Sequence, residues 1–146
     1  MYYEEFQEGA SLATHGRTIT ETDVVLFATL TGAQNPLFLD AEYGKSTVFG
    51  TRLVPGLLTL SMVVGLAYQL PQGPFGEGFI ALLDLAFASP KPVRIGDTLR
   101  ARVEVTAKEL PRDGKGRVRL HFSARNQREE EVLTADARFL VRVKGT

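Results

Sequence analysis

Residues 53–70 run for eighteen positions without a charged side chain, and any fold this chain adopts must find a place for them. A run of that length reaches the threshold for a membrane-spanning helix. Here Pro55, Gly56, Thr59, Ser61, Gly65 and Gln69 dilute its hydrophobicity and no basic flank orients it, so no membrane span is expected. A helix that is apolar on nearly every side belongs inside its own domain. The run is therefore read as a central helix buried nearly all round, stopped by Pro71-Gln72-Gly73-Pro74-Phe75-Gly76.

The sequence that follows supplies a wrapping for it. Residues 79–88, 98–109, 117–127 and 132–143 have strand composition, separated by Pro90-Lys91-Pro92, Gly96-Asp97, the hairpin signal Asp113-Gly114 and a polar reversal over 126–131. From Val118 to Arg125 apolar and polar residues alternate strictly, which predicts one buried and one solvated face. Ahead of the central helix, Arg17-Thr18-Ile19 is strand-like. Thr20 with Asp23 three residues on forms a capping box for a helix to about Leu30, which Gly32 ends. Asp40 caps a short helix over 41–46. Helices followed by a meander of strands predict an α+β domain with an antiparallel sheet.

A chain of 146 residues is a common domain size, able to bury about 68–70% of its unfolded surface, and residues 1–146 are read as one domain. Seventeen basic and seventeen acidic side chains cancel, leaving no global field to attract nucleic acid or an anionic membrane. The absence of cysteine excludes disulfides, thiolate catalysis and cysteine metal sites. Met1-Tyr2-Tyr3-Glu4-Glu5 has no basic segment leading into an apolar one, so no secretory signal is read and a cytoplasmic location is expected.

The chemistry-bearing motif is Thr31-Gly32-Ala33-Gln34-Asn35-Pro36-Leu37-Phe38-Leu39-Asp40, with Pro55-Gly56 opening the central helix and Thr20-Glu21-Thr22-Asp23 and Phe27-Ala28 ahead of it. Together these resemble the MaoC-like, (R)-specific enoyl-CoA hydratase family of hot-dog proteins, over essentially the whole length and most specifically over residues 18–66. In that family the motif reads roughly Ser/Thr-Gly-Asp-x-Asn-Pro-Ile/Leu-His-x-Asp, followed by a His-Gly pair. The resemblance implies a hot-dog fold, a long central helix wrapped by an antiparallel sheet. It also implies an acyl-CoA or related thioester as substrate or ligand, no further cofactor and no metal.

The same resemblance implies a mechanism. Hydration of a trans-2-enoyl thioester needs a base for water, an acid for the α-carbon, and donors for the enolate-like oxygen. In the family the motif Asp and His hold the water, and the backbone N–H of the helix-opening glycine faces the thioester carbonyl. The water-holding positions here are Ala33 and Phe38, and the donor is Gly56. A backbone donor at a helix N-terminus needs no particular side chain, whereas each lost acid/base group removes about 10²–10⁴-fold of rate. Substrate contacts carried over from the family fall on Asn35, Phe38, Pro55, Gly56 and Val64.

Two carboxylates are candidate substitutes. Asp40 keeps the motif's acid but is placed to cap the next helix. Asp84 interrupts the apolar run Ile80-Ala81-Leu82-Leu83-Asp84-Leu85-Ala86-Phe87, so it is either exposed at a sheet edge or seam, or functional with a raised pKa. Asn35 braces the turn before Pro36. His121 alternates onto the solvated face with Arg119 and Arg125, and His15 lies in a loop; without motif spacing they make no metal centre. Gly114-Lys115-Gly116 is a hairpin turn rather than a phosphate loop. Arg52, Arg94 and Arg100 are candidates to meet CoA phosphates.

Three functions fit these residues. The first is a thioester-binding hot-dog subunit without the dyad, serving as partner or regulator of a catalytic hydratase chain. The second is a hydratase or dehydratase of fatty acid metabolism using Asp40, Asp84 or a partner-chain base. The third is an acyl-CoA thioesterase, disfavoured because residues 56–70 hold no Asp or Glu. Hot-dog domains usually pair side by side, so a homodimer is expected, or a heteromer with a catalytic hot-dog chain.

Overall fold

The chain enters its first long helix through a reciprocal cap. In the computed structural model, which describes residues 1–146, Asp23 N–H donates to the Thr20 hydroxyl (3.2 Å) and Thr20 N–H donates to the Asp23 carboxylate (2.8 Å). Burial opposes ionisation of Asp23, but the N–H and hydroxyl of Thr20 and the Arg17 guanidinium outweigh it and hold the carboxyl below its ordinary range. This starts α1 (Glu21–Thr31), and Gly32, at φ +77°, ends it in the left-handed conformation that glycine adopts without strain. Two short helices follow, α2 (Pro36–Leu39) and α3 (Ala41–Ser46), capped by Asn35 and Asp40 respectively. The chain then crosses to α4 (Gly56–Tyr68).

The sheet orders its strands β1 (Ser11–Ala13), β4 (Thr98–Arg112), β5 (Lys115–Arg125), β6 (Glu131–Arg142), β3 (Phe79–Ala88), all antiparallel, with β2 (Arg17–Thr18) also on the outer edge of β4. Asp113 and Gly114, at φ +52° and +71°, form the two-residue turn that twists with its flanking strands. Because the turn is so tight, β4 and β5 continue past the expected 98–109 and 117–127 to meet it. Register shifts along β3–β6 and β4–β5 let the sheet curl.

The inner face of that curl holds α4. Leu58, Met62, Val63, Leu66 and Ala67 pack with Val103, Val105, Leu120, Phe122 and Phe139 in one buried cluster. Tyr68, Phe75 and Phe139 close its far end, with ring centroids 4.1 Å and 5.0 Å apart. This is the α+β hot-dog arrangement. No helix is long and apolar enough to cross a membrane. One expectation is corrected: α4 opens at Gly56 as expected but is not buried all round, since Leu57 is 59% and Tyr68 49% exposed, with Ser61 also exposed on that side. The sheet covers one side of the helix; within a single chain nothing covers the other.

Candidate functional site

The N-terminus of α4 is placed by two backbone hydrogen bonds. Leu53 N–H donates to the Leu37 carbonyl (3.0 Å) and Val54 N–H to the Val93 carbonyl (2.8 Å), tying the helix entrance to α2 on one side and to the β3–β4 connection on the other. A further constraint comes from Gly44, where a Cβ would lie 2.6 Å from Arg52 N, so α3 packs directly on the crossing segment. Between these walls lies an open cleft of about 350 Å³. Phe38, Phe49, Leu53 and Val54 form one side and Ser89 to Val93 the other, with Gly56 between them.

The helix end facing this cleft has no cap. Pro55 supplies no side-chain acceptor, no acid lies in the first turn, and the N–H groups of Gly56, Leu57 and Leu58 have no hydrogen-bond partner. Such an end concentrates partial positive charge and free donors. Gly56 leaves room for an approaching ligand: a Cβ there would be 3.6 Å from Ser89 Oγ and 3.8 Å from the Phe87 ring. Ser89 Oγ makes no hydrogen bond in the structure. Lys91 is the single titratable side chain of the cleft, and its ammonium donates to Glu130 at 2.7 Å.

Of the residues singled out in the sequence, Phe38 and Gly56 meet in this cleft. Pro55 lies buried immediately before it, its carbonyl accepting from Thr59 N–H at 3.1 Å. Ala33 and Asn35 stand in the turn before α2, where the Asn35 side chain accepts from Leu37 N–H at 2.9 Å, and neither lines the cleft. Val64 packs against the core two turns further along α4, also outside the cleft. Asp40 is exposed and accepts from Tyr43 N–H at 3.0 Å as the cap of α3. Asp84 is bound by Arg138 Nε and Nη2 at 2.9 and 2.5 Å. Its neighbour Leu85 pairs with buried Ala137, so Asp84 points to the outer face of the sheet, away from α4.

His121 is likewise on the outer face, its Nδ1 2.8 Å from Asp136. Arg52 is paired with Glu21 at 2.9 Å. Phe49, Ser89 and Lys91 are cleft residues that the sequence did not single out, and the crossing bond from Val54 to Val93 brings the Ser89–Lys91 side against the other.

Fold and cleft together define a hot-dog protein whose central helix opens, uncapped, on an apolar-walled cleft. A family model described as MaoC like domain matches residues 5–125, and the chain belongs to that family. It is 39% identical over 106 residues to an (R)-specific enoyl-CoA hydratase of Rhodospirillum rubrum, covering 72% of this chain and 69% of that protein. A 3-hydroxybutyryl-CoA dehydratase of Methylorubrum extorquens is 36% identical over 119 residues, 81% of this chain and 71% of that one. Among solved structures, a monoamine oxidase regulatory protein from Archaeoglobus fulgidus superposes with a TM-score of 0.91 at 36% identity, covering 99% of this chain and 95% of that one.

Proposed function

We propose that the cleft at the start of α4 binds an acyl-CoA or related thioester, with the carbonyl oxygen taken by the Gly56 N–H, and that the chain lacks the water-holding pair of hydratases. It then serves as a binding or partner subunit in cytoplasmic fatty acid metabolism, needing no cofactor beyond the thioester itself. The observation that carries this reading is the pairing of free helix-terminal donors with walls that hold no Asp, Glu or His. Donors suit a polarised carbonyl. The apolar ring of Phe38 suits an acyl chain rather than an activated water.

The position of the two substitute carboxylates supports the same reading, because Asp40 is engaged in a cap and Asp84 in an ion pair on the far face. An active hydratase is the second reading, and Ser89 favours it: its hydroxyl lacks a partner and faces Gly56, so it is able to hold a water there. A thioesterase has less support, since α4 carries no carboxylate. The state we propose is a side-by-side dimer, homomeric or with a catalytic hot-dog chain. The β3 edge is unpaired and exposes Leu82 and Leu83, and the open side of α4 exposes Leu57.

Calorimetric titration with butyryl-CoA tests the binding claim. The native protein is expected to bind. Gly56→Val, which puts a branched side chain where the carbonyl would sit, should weaken binding at least about tenfold, the loss of one well-placed hydrogen bond with a steric clash added. Equal affinity in the two proteins contradicts the placement.

A further inference from the structure

The outer face of the sheet divides its arginines unequally. Along the middle of the sheet three have an acid: Arg117 and Arg119 lie 4.0 and 3.9 Å from Glu109, and Arg138 joins Asp84 and Glu109 at 2.5 and 3.5 Å, while Arg142 beside the Asp113–Gly114 turn has none and faces Lys115. Toward the opposite end, Arg100, Arg102 and Arg125 have no carboxylate within 4 Å. Arg100 and Arg125 stand directly opposite each other in the β4–β5 register, and Arg102 occupies the next outer-face position, opposite Ser123. Like charges in opposed positions destabilise a sheet. Arg102 donates to Ser11 Oγ, Arg125 makes one long contact of 3.5 Å to the Glu129 carbonyl, and the Arg100 side chain makes no hydrogen bond.

These three side chains, with Thr14, Ser123 and Asn126, line a groove of about 440 Å³. Three acids are close by, Glu129 on the rim, Glu131 opposite Arg125 in the β5–β6 register and Glu104 two residues on from Arg102 on the same face, but none forms an ion pair with these arginines. Guanidinium groups presented together in a polar groove match the oxygens of phosphate.

The groove lies around the end of the sheet from the cleft. Ala88, which ends β3 beside the cleft, pairs with Thr134, Thr134 with Ser123 and Ser123 with Arg102. Three inter-strand steps make that separation about 14 Å. The β5–β6 turn bridges the two sites, since Lys91 of the cleft binds Glu130, and Asn126 and Glu129 of the same turn line the groove.

We propose that Arg100, Arg102 and Arg125 form a phosphate site for the nucleotide end of the ligand whose thioester lies at Gly56, the pantetheine arm passing over the β5–β6 turn. This deepens the thioester reading and rests on it for the ligand's other end. Phosphate oxygens between Arg100 and Arg125 remove the opposition of like charges, and Ser123 supplies an uncharged hydroxyl beside them.

Calorimetry with three ligands separates the two ends: butyryl-CoA, butyryl-pantetheine, which lacks the nucleotide, and adenosine 3′,5′-bisphosphate, which lacks the arm and acyl group. The Arg100→Gln/Arg125→Gln variant should weaken butyryl-CoA and the bisphosphate at least about tenfold, through lost charge-assisted hydrogen bonds, and leave butyryl-pantetheine unchanged. If butyryl-pantetheine fails to bind the native protein while bisphosphate binding still depends on the arginines, the groove stands and the cleft reading falls. Unchanged butyryl-CoA and bisphosphate affinities in the variant overturn the groove. So does an equal loss from Arg117→Gln at the far end of β5, which would reduce the effect to bulk charge.

Discussion

Phe38 and Asp40 sit two residues apart in one motif, yet the structure uses them in opposite ways. The ring of Phe38 turns inward to line the cleft, while the carboxylate of Asp40 turns outward to accept from Tyr43 N–H. What separates them is the single turn of α2, which ends at Leu39 and leaves Asp40 in the cap position of α3. Gly44 then decides how closely α3 approaches the chain that leads into α4. Its ideal Cβ would come within 2.6 Å of backbone that is itself held by Leu53 and Val54. Gly44→Ala should therefore destabilise by about 1–3 kcal/mol, the usual cost of overpacking a site that cannot give way. Chemical denaturation checks this, and a stability equal to or above the native value would show that the crossing segment yields.

At the scale of elements, the long pieces were legible in the sequence because each carries its own signal. Alternation marks β5, the reciprocal Thr20–Asp23 box marks the start of α1, and Asp113-Gly114 marks the hairpin. β1 spans three residues and α2 four, too short for either periodicity to register in the sequence. The cleft was legible on one side only. Its second wall, Ser89 to Val93, is joined to Val54 by a hydrogen bond that no local spacing encodes.

That wall also carries an acid-sensitive ion pair, Lys91 with Glu130. Lys91, Arg128 and Asn126 hold the Glu130 carboxyl down to about 2 from its ordinary 4.5. A depressed carboxyl contributes stability that is present above pH 4.5 and lost as pH falls toward 2. Lys91→Met removes the largest of those causes. Urea midpoints of native and variant proteins should accordingly converge as pH falls through this window, and curves that stay parallel would place the ion pair outside the stability of the turn.

For the whole molecule, the hot-dog arrangement holds the start of the central helix by backbone contacts rather than by the side chains around it. Gly56 presents its N–H because α4 begins where the sheet and α2 hold it, a geometry that belongs to the backbone. Phe38 fills part of the space in front, whereas Ala33 stands in the turn before α2, outside the cleft. The extent to which α4 remains open also follows from this scale: its uncharged sequence suited burial on all sides, and one chain supplies a sheet for only one of them. Periodicity along a single chain cannot tell a face meant for its own core from a face meant for a neighbour.

The central claim is that the frame binds thioesters without the means to hydrate them. Single-turnover hydration of crotonyl-CoA, followed at the enoyl absorbance for the native protein and for Ala33→Asp/Phe38→His, tests it most directly. The account predicts no hydration by the native protein and a gain of at least about 10²-fold over background in the double variant, as expected for restored acid/base groups. Turnover by the native protein would contradict it, and would direct attention to Ser89 as the residue holding water.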